Sequence, residues 1–172
     1  MPKRIDRIVR RLLRQARVRK PPVPVEMIAR NLGTQIRYSP FEGDISGMVF
    51  RDKDRTVIGV NSLHHPNRQR FTIAHEVGHF LLHEGAEVHV DKTFRVNLRD
   101  DVSSKAVDKE EIEANRFAAE LLLPEHMLIQ DLKGQEIDFE DQGDLRGLSK
   151  RYRVSVQALT FRLINLGLIS PT

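Results

Sequence analysis

His75, Glu76 and His79 stand together in the segment RFTIAHEVGHFLLHEG, residues 70–85. On a helix, His75 and His79 lie one turn apart on a common face, where both rings can offer a nitrogen to one ion. Glu76 then points about 100° away around the axis, toward a water beside the ion rather than toward the ion itself. H-E-x-x-H on a helix is the pattern of zinc-assisted hydrolysis: the metal acidifies water and the glutamate accepts its proton. The chain contains no cysteine, so any metal must be held by His, Asp or Glu. Gly78 sits inside the same helical stretch, where glycine costs about 1 kcal/mol relative to alanine, which implies a close approach by another backbone.

Two histidines need a third ligand. His83 is a poor one, because it lies eight residues past His75, about 12 Å along a helix axis, beyond the reach of one ion. The longer pattern H-E-x-x-H-x-x-G-x-x-H fails as well, with Leu82 at its glycine position and Gly85 at its third histidine. A better source is EEIEANRFAAELLLP, residues 110–124. Ile112, Phe117, Ala118, Leu121 and Leu122 suggest a helix with an apolar stripe, and Glu111 and Asn115 are four apart on one face. From a neighbouring helix Glu111 can supply a carboxylate oxygen to the metal. Asn115 can accept a hydrogen bond from the far nitrogen of His75 and fix the ring's tautomer. Spacing alone does not separate Glu111 from Glu110 and Glu113, which also suit a solvated helix start.

These groups must be positioned by the elements around them. The pattern predicts a short helix from Val25 to Asn31 closed by Gly33, then strands in QIRYS and in DISGMVFRDKDRTVIGVN, with DKD turning a hairpin. A three-stranded sheet is the economical arrangement. Pro66 and Asn67 start the H-E-x-x-H helix, with Asn67 as its N-cap, and it runs to about His83 before stopping at Gly85. The shared parity of Val88, Val90, Phe94, Val96 and Leu98 suggests a further strand or an extended flap. RDDVSSKAVDK reads as a polar loop, Glu110 to Leu123 as a helix, and Pro124 as the start of another.

The pair RQRFTIAHEVGHFLLH and EIEANRFAAELLLP, with ISGMVF and VIGVN upstream, closely resembles the ImmA/IrrE family of zinc-dependent metallopeptidases over about residues 20 to 130. The resemblance implies that Zn2+ is held by His75, His79 and, by alignment on A-N-x-F-A-A, Glu111 of the E-x-x-A-N motif. It implies Glu76 as catalytic base and an α+β, gluzincin-like fold with a short sheet over the active-site helix. The family cuts helix-turn-helix repressors, so the implied partner is a regulatory protein of that kind. An oxyanion stabiliser is also expected, with Tyr38, Tyr152, His89, His126 and Arg116 as candidates.

Residues 1–20 hold nine Lys and Arg against Asp6 alone. Ile5, Ile8, Val9, Leu12, Leu13 and Ala16 form one apolar stripe, so a helix docked on the body with a solvated basic face is expected ahead of a nucleic-acid or membrane contact. The C-terminal LRGLSKRYRVSVQALTFRLINLGLI reads as a helix, the turn RVS and a helix N-capped by Ser155, which resembles a helix-turn-helix. DNA contact there would use Lys150, Arg151, Arg153 and Arg162. Burial of Leu159, Phe161, Leu163, Ile164 and Leu166, or docking of a repressor, is favoured over it. The expected organisation is therefore a basic helix over 1–20, a zinc peptidase domain over 21–133 and a C-terminal helical segment over 134–172. No apolar run approaches the roughly 18 residues that span a bilayer, so a soluble cytoplasmic protein is expected. Two further readings stand beside the peptidase: a module that sequesters a repressor or toxin-type partner without cutting it, and a DNA-binding regulator.

Overall fold

The computed structural model describes residues 2–43, 45–83, 88–91, 105–133 and 142–170. Along the chain lie α1 (Pro2–Gln15), α2 (Val25–Asn31), β1 (Thr34–Ser39), β2 (Gly47–Arg51), β3 (Thr56–Asn61), α3 (Pro66–Leu82), β4 (Val88–Asp91), α4 (Lys105–Leu122), α5 (Glu125–Leu132), α6 (Gln142–Tyr152) and α7 (Val156–Asn165). They form two compact units, one of Val25–Ala118 and one of Met1–Pro24 with Ala119–Thr172.

The first unit is α+β. Its sheet has four strands in the order β1-β3-β2-β4, not three. The hairpin forms as the DKD turn implies, with Asp52 N–H donating to the Arg55 carbonyl at 2.8 Å. β1 runs parallel to β3, and β2 pairs antiparallel with β3 on one side and β4 on the other. Among the described residues the fourth strand takes up Val88–Asp91 of the Val88–Leu98 stretch; Phe94, Val96 and Leu98 lie outside the described residues. To pass from β1 to β2 the chain must cross β3, and Gly59 makes room for that crossing. A Cβ there would stand 2.9 Å from Met48 and 3.1 Å from the ring of Phe41. The Asn61 amide ties the crossing segment down, donating to the Ile45 carbonyl at 2.9 Å and accepting from Leu63 N–H at 3.0 Å.

Against this sheet lies α3. Every residue from Thr72 to His79 is buried, so the helix carries no single apolar stripe, as expected of one enclosed on all sides. Its N-cap is His65 rather than Asn67: the His65 ring accepts from Asn67 N–H at 3.2 Å. Pro66 accounts for the difference, since its fixed φ and missing N–H suit the first helical position and place the cap at His65, immediately before it. α4 starts at Lys105, five residues before the expected Glu110. Lys105, Ala106 and Lys109 are strong helix formers, and a helix can extend through them without an apolar period to announce it.

In the second unit, α1 buries Ile5, Val9, Leu12 and Leu13. α6 and α7 meet through a turn in which Arg153 takes φ +55° and the Ser155 hydroxyl accepts from Ala158 N–H at 3.1 Å. Leu159 and Leu163 are fully buried, whereas Phe161 is exposed, and Ile164 and Leu166 are half-buried. Arg162, which a DNA contact would have used, is buried and donates to the Leu123 carbonyl at 3.1 Å. Arg151 is engaged too, on Asp131 at 2.8 Å. Among the described residues no helix is long and apolar enough to cross a membrane.

Candidate metal centre

Four of the residues singled out by spacing come together where α3 passes α4. His75 Nε2 and His79 Nε2 are 3.0 Å apart, as one helical turn between i and i+4 allows. Glu111 closes the set, with one carboxylate oxygen 3.2 Å from His75 Nε2 and the other 3.1 Å from His79 Nε2. Ligand atoms about 2.0–2.1 Å from a zinc ion at tetrahedral angles lie about 3.3 Å from one another, so the three groups are spaced as one ion requires. Both histidines are buried, while Glu111 is 30% exposed and leaves the cluster open on one side. A closed set of four protein ligands suits a structural metal, and an open one suits a metal that must meet a substrate.

The fourth residue is Asn115. Its Oδ1 lies 3.0 Å from His75 Nδ1. An amide oxygen only accepts, so this contact favours the His75 tautomer with its proton on Nδ1 and the lone pair of Nε2 toward the cluster, which is the one a metal needs.

Gly78 sets the separation of the two helices. A Cβ at this position would stand 3.1 Å from Ala114 Cα, 3.2 Å from the Phe117 ring and 3.3 Å from the Ala114 carbonyl. A methyl group would be tight there, and with glycine α4 comes near enough for Glu111 to reach across. Its neighbours do other things. The Glu110 carbonyl lies 3.2 Å from His83 Nε2, and the Glu113 carboxylate lies 4.0 Å from His83 Nδ1. His83 therefore ties the end of α3 to α4 and stands apart from the ligand cluster.

Glu76 is completely buried and faces β2. A Cβ on Gly47 would collide with the Thr72 methyl and lie 3.1 Å from Glu76 Oε1, so Gly47 is what lets the strand close over this carboxylate. Sequence reasoning missed both Gly47 and Arg51. Arg51, at the end of β2, donates to the His79 carbonyl at 2.7 Å and the His83 carbonyl at 2.9 Å, with its guanidinium 5.5 Å from the Phe80 ring centre. It joins the His83 N–H, which also donates to the His79 carbonyl at 3.2 Å, and places a cation at the negative end of the helix. No periodicity links Arg51 to His79, because the connection runs through sheet-on-helix packing.

The candidates for oxyanion stabilisation are scattered. Tyr38 is exposed at the end of β1, and burial of part of its ring is the main cause that raises its hydroxyl above the ordinary phenol value. Tyr152 is fully buried in the second unit and donates to Asp131 at 2.9 Å. His126 is exposed on α5, Arg116 is exposed on α4, and the His89 side chain lies outside the described residues.

Known proteins share this arrangement of sequence. The chain is 33% identical over 105 residues to "uncharacterized immunity region protein 2" of Bacillus phage phi105, an overlap of 61% of either chain. It is 38% identical over 93 residues to "metallopeptidase ImmA" of Bacillus subtilis strain 168, covering 52% of this chain and 48% of that one. The similarity thus spans between about half and three-fifths of those relatives' length. Among solved structures, a Mycobacterium tuberculosis transcriptional regulator superposes with a TM-score of 0.60 at 18% identity, over 94% of this chain and 46% of that one, which is a likeness of fold. Residues 29–164 match the model of the IrrE N-terminal-like domain, a stretch that includes both motif helices, and the chain belongs to the ImmA/IrrE family of metallopeptidases.

Proposed function

We propose that this protein is a zinc-dependent endopeptidase of the cytoplasm that cuts a regulatory protein, with helix-turn-helix repressors as the substrate class. The observation that carries the reading is the convergence of His75 Nε2, His79 Nε2 and the Glu111 carboxylate, all within 4.8 Å of one another, next to the buried Glu76. The substrate class rests on the family resemblance and agrees with the name of the phage immunity-region relative.

His75, His79 and Glu111 are the residues that would hold zinc, and Asn115 would keep His75 in the ligating tautomer. Bound there, zinc supplies Lewis acidity, which lowers the pKa of water and polarises a peptide carbonyl. Glu76 takes a proton from the attacking water on its carboxylate and delivers it to the amine that leaves. The closure of β2 over Glu76 at Gly47 keeps that carboxylate away from bulk solvent. Arg51 holds the last turn of α3, and with it the backbone of His79, in place.

A Glu76→Gln chain is expected to retain about one zinc per molecule and to lose cleavage of a neighbouring-gene repressor by about 10²–10⁴-fold, the usual contribution of a positioned acid–base group. Metal analysis of the purified protein and fragment formation on gels read the two effects separately. Cleavage that survives the substitution would refute the mechanism, and native protein devoid of metal would refute the site.

A further inference from the structure

The net positive charge of this protein comes from one stretch of sequence. Residues 1–24 carry nine Lys and Arg against Asp6, while the remaining residues carry nineteen against twenty-three Asp and Glu. Lys3, Arg4, Arg7, Arg10, Arg11 and Arg14 are all exposed on α1. At 100° per residue they fill an arc of about 120°, opposite the arc of Ile5, Val9, Leu12 and Leu13. Three more exposed cations follow between residues 17 and 20. Asp6 lies at the rim of the arc and pairs with Arg10 at 2.7 Å.

Asp6, Glu125 and Glu120 favour the charge of Arg10, but the helix itself is not stabilised by so many cations on one face. Like charges at i,i+3 and i,i+4 destabilise a helix, and the first turn of α1 holds no acid to meet its positive end. A face kept only for solubility mixes both signs. Seven of the nine cations are arginine, whose planar fork pairs with phosphate in two hydrogen bonds. We propose that the exposed arc of α1 binds the phosphate backbone of nucleic acid without reading its sequence. This is independent of the peptidase reading.

The apolar face decides against a membrane. An interfacial helix must give its apolar side to lipid, but Ile5, Val9, Leu12 and Leu13 are 2–4% exposed, already covered by protein. The arc also lacks the aromatic residues that accompany arginine at the centre of protein interfaces. What it offers is charge at high density: six cations along about 17 Å of helix, facing a duplex that carries about one charge per 1.7 Å.

The test is fluorescence anisotropy of a labelled duplex of scrambled sequence, titrated with the full chain over a range of salt. The wild type is expected to bind with affinity that falls steeply with salt. An Arg7→Gln, Arg11→Gln, Arg14→Gln triple variant should reduce the slope of log K against log salt by about 3, about 1 for each lost phosphate contact. A Lys150→Gln variant on α6 should leave it unchanged. Circular dichroism and zinc content should match the wild type in both, which separates loss of contact from loss of fold. Absence of duplex binding at low salt would overturn the proposal, as would an unchanged slope in the triple variant. Tighter binding to polyglutamate or to anionic vesicles than to the duplex would overturn it in favour of an acidic protein or a lipid surface.

Discussion

Asn115 governs the site through one atom. Because its Oδ1 accepts from His75 Nδ1, the proton is kept off the nitrogen that faces His79 and Glu111. Replacing it with alanine removes that preference without touching a ligand. An Asn115→Ala chain is expected to keep its fold and bind zinc about 10–100-fold more weakly, measured by competition with a chromogenic chelator. Unchanged affinity would mean that another group fixes the ring. At this scale the sequence was readable wherever spacing is rigid: the four-residue steps His75–His79 and Glu111–Asn115 are dictated by helix geometry. It was silent where the link crosses between elements. Glu110, Glu111 and Glu113 are equivalent in spacing, and only the register of α4 against α3 gives the site to Glu111.

That register belongs to the elements, and Gly78 is where it is set. A methyl group there would press on the backbone of Ala114 and the ring of Phe117 rather than on a flexible side-chain end. Gly78→Ala should therefore destabilise by about 1–3 kcal/mol, as overpacking does, despite a gain in helix propensity of about 1 kcal/mol. Because Glu111 rides on α4, zinc affinity should fall with it. Thermal melts with and without zinc check both. A variant more stable than the wild type would show that the helices have room to spare. The element boundaries repeat the lesson. α2 and the β2–β3 hairpin follow from their glycine, proline and turn residues. The shared parity of Val88 and Val90 marks the fourth strand but not its pairing with β2, and the early start of α4 rests on residues that favour helix without displaying a period.

For the whole molecule, the two tyrosines make stability depend on alkaline pH. Burial, followed by the hydrogen bond to Asp131, holds the Tyr152 hydroxyl far above its ordinary value of 10.0, and Tyr38 is shifted the same way, mainly by burial. Unfolded, both ionise near 10.0, whereas folded they resist. Their contribution is complete below about pH 10 and declines as pH rises beyond it. Urea midpoints measured from about pH 8 to about pH 11 should fall, and Tyr152→Phe should flatten the fall while lowering the neutral midpoint through the lost hydrogen bond. A slope as steep in the variant as in the wild type would place the alkaline sensitivity elsewhere. The close seating of Gly78 on Ala114 also has a consequence in polymer terms. It closes a loop of 36 positions, and the entropy of closure rises only with the logarithm of length, so that doubling such a loop costs about 0.6 kcal/mol. The stretch between the two motifs can lengthen or shrink at little thermodynamic penalty, whereas one residue inserted between His75 and His79 would swing a ring about 100° off the cluster. Homologous sites should thus keep each short spacing fixed and let the distance between the motifs drift.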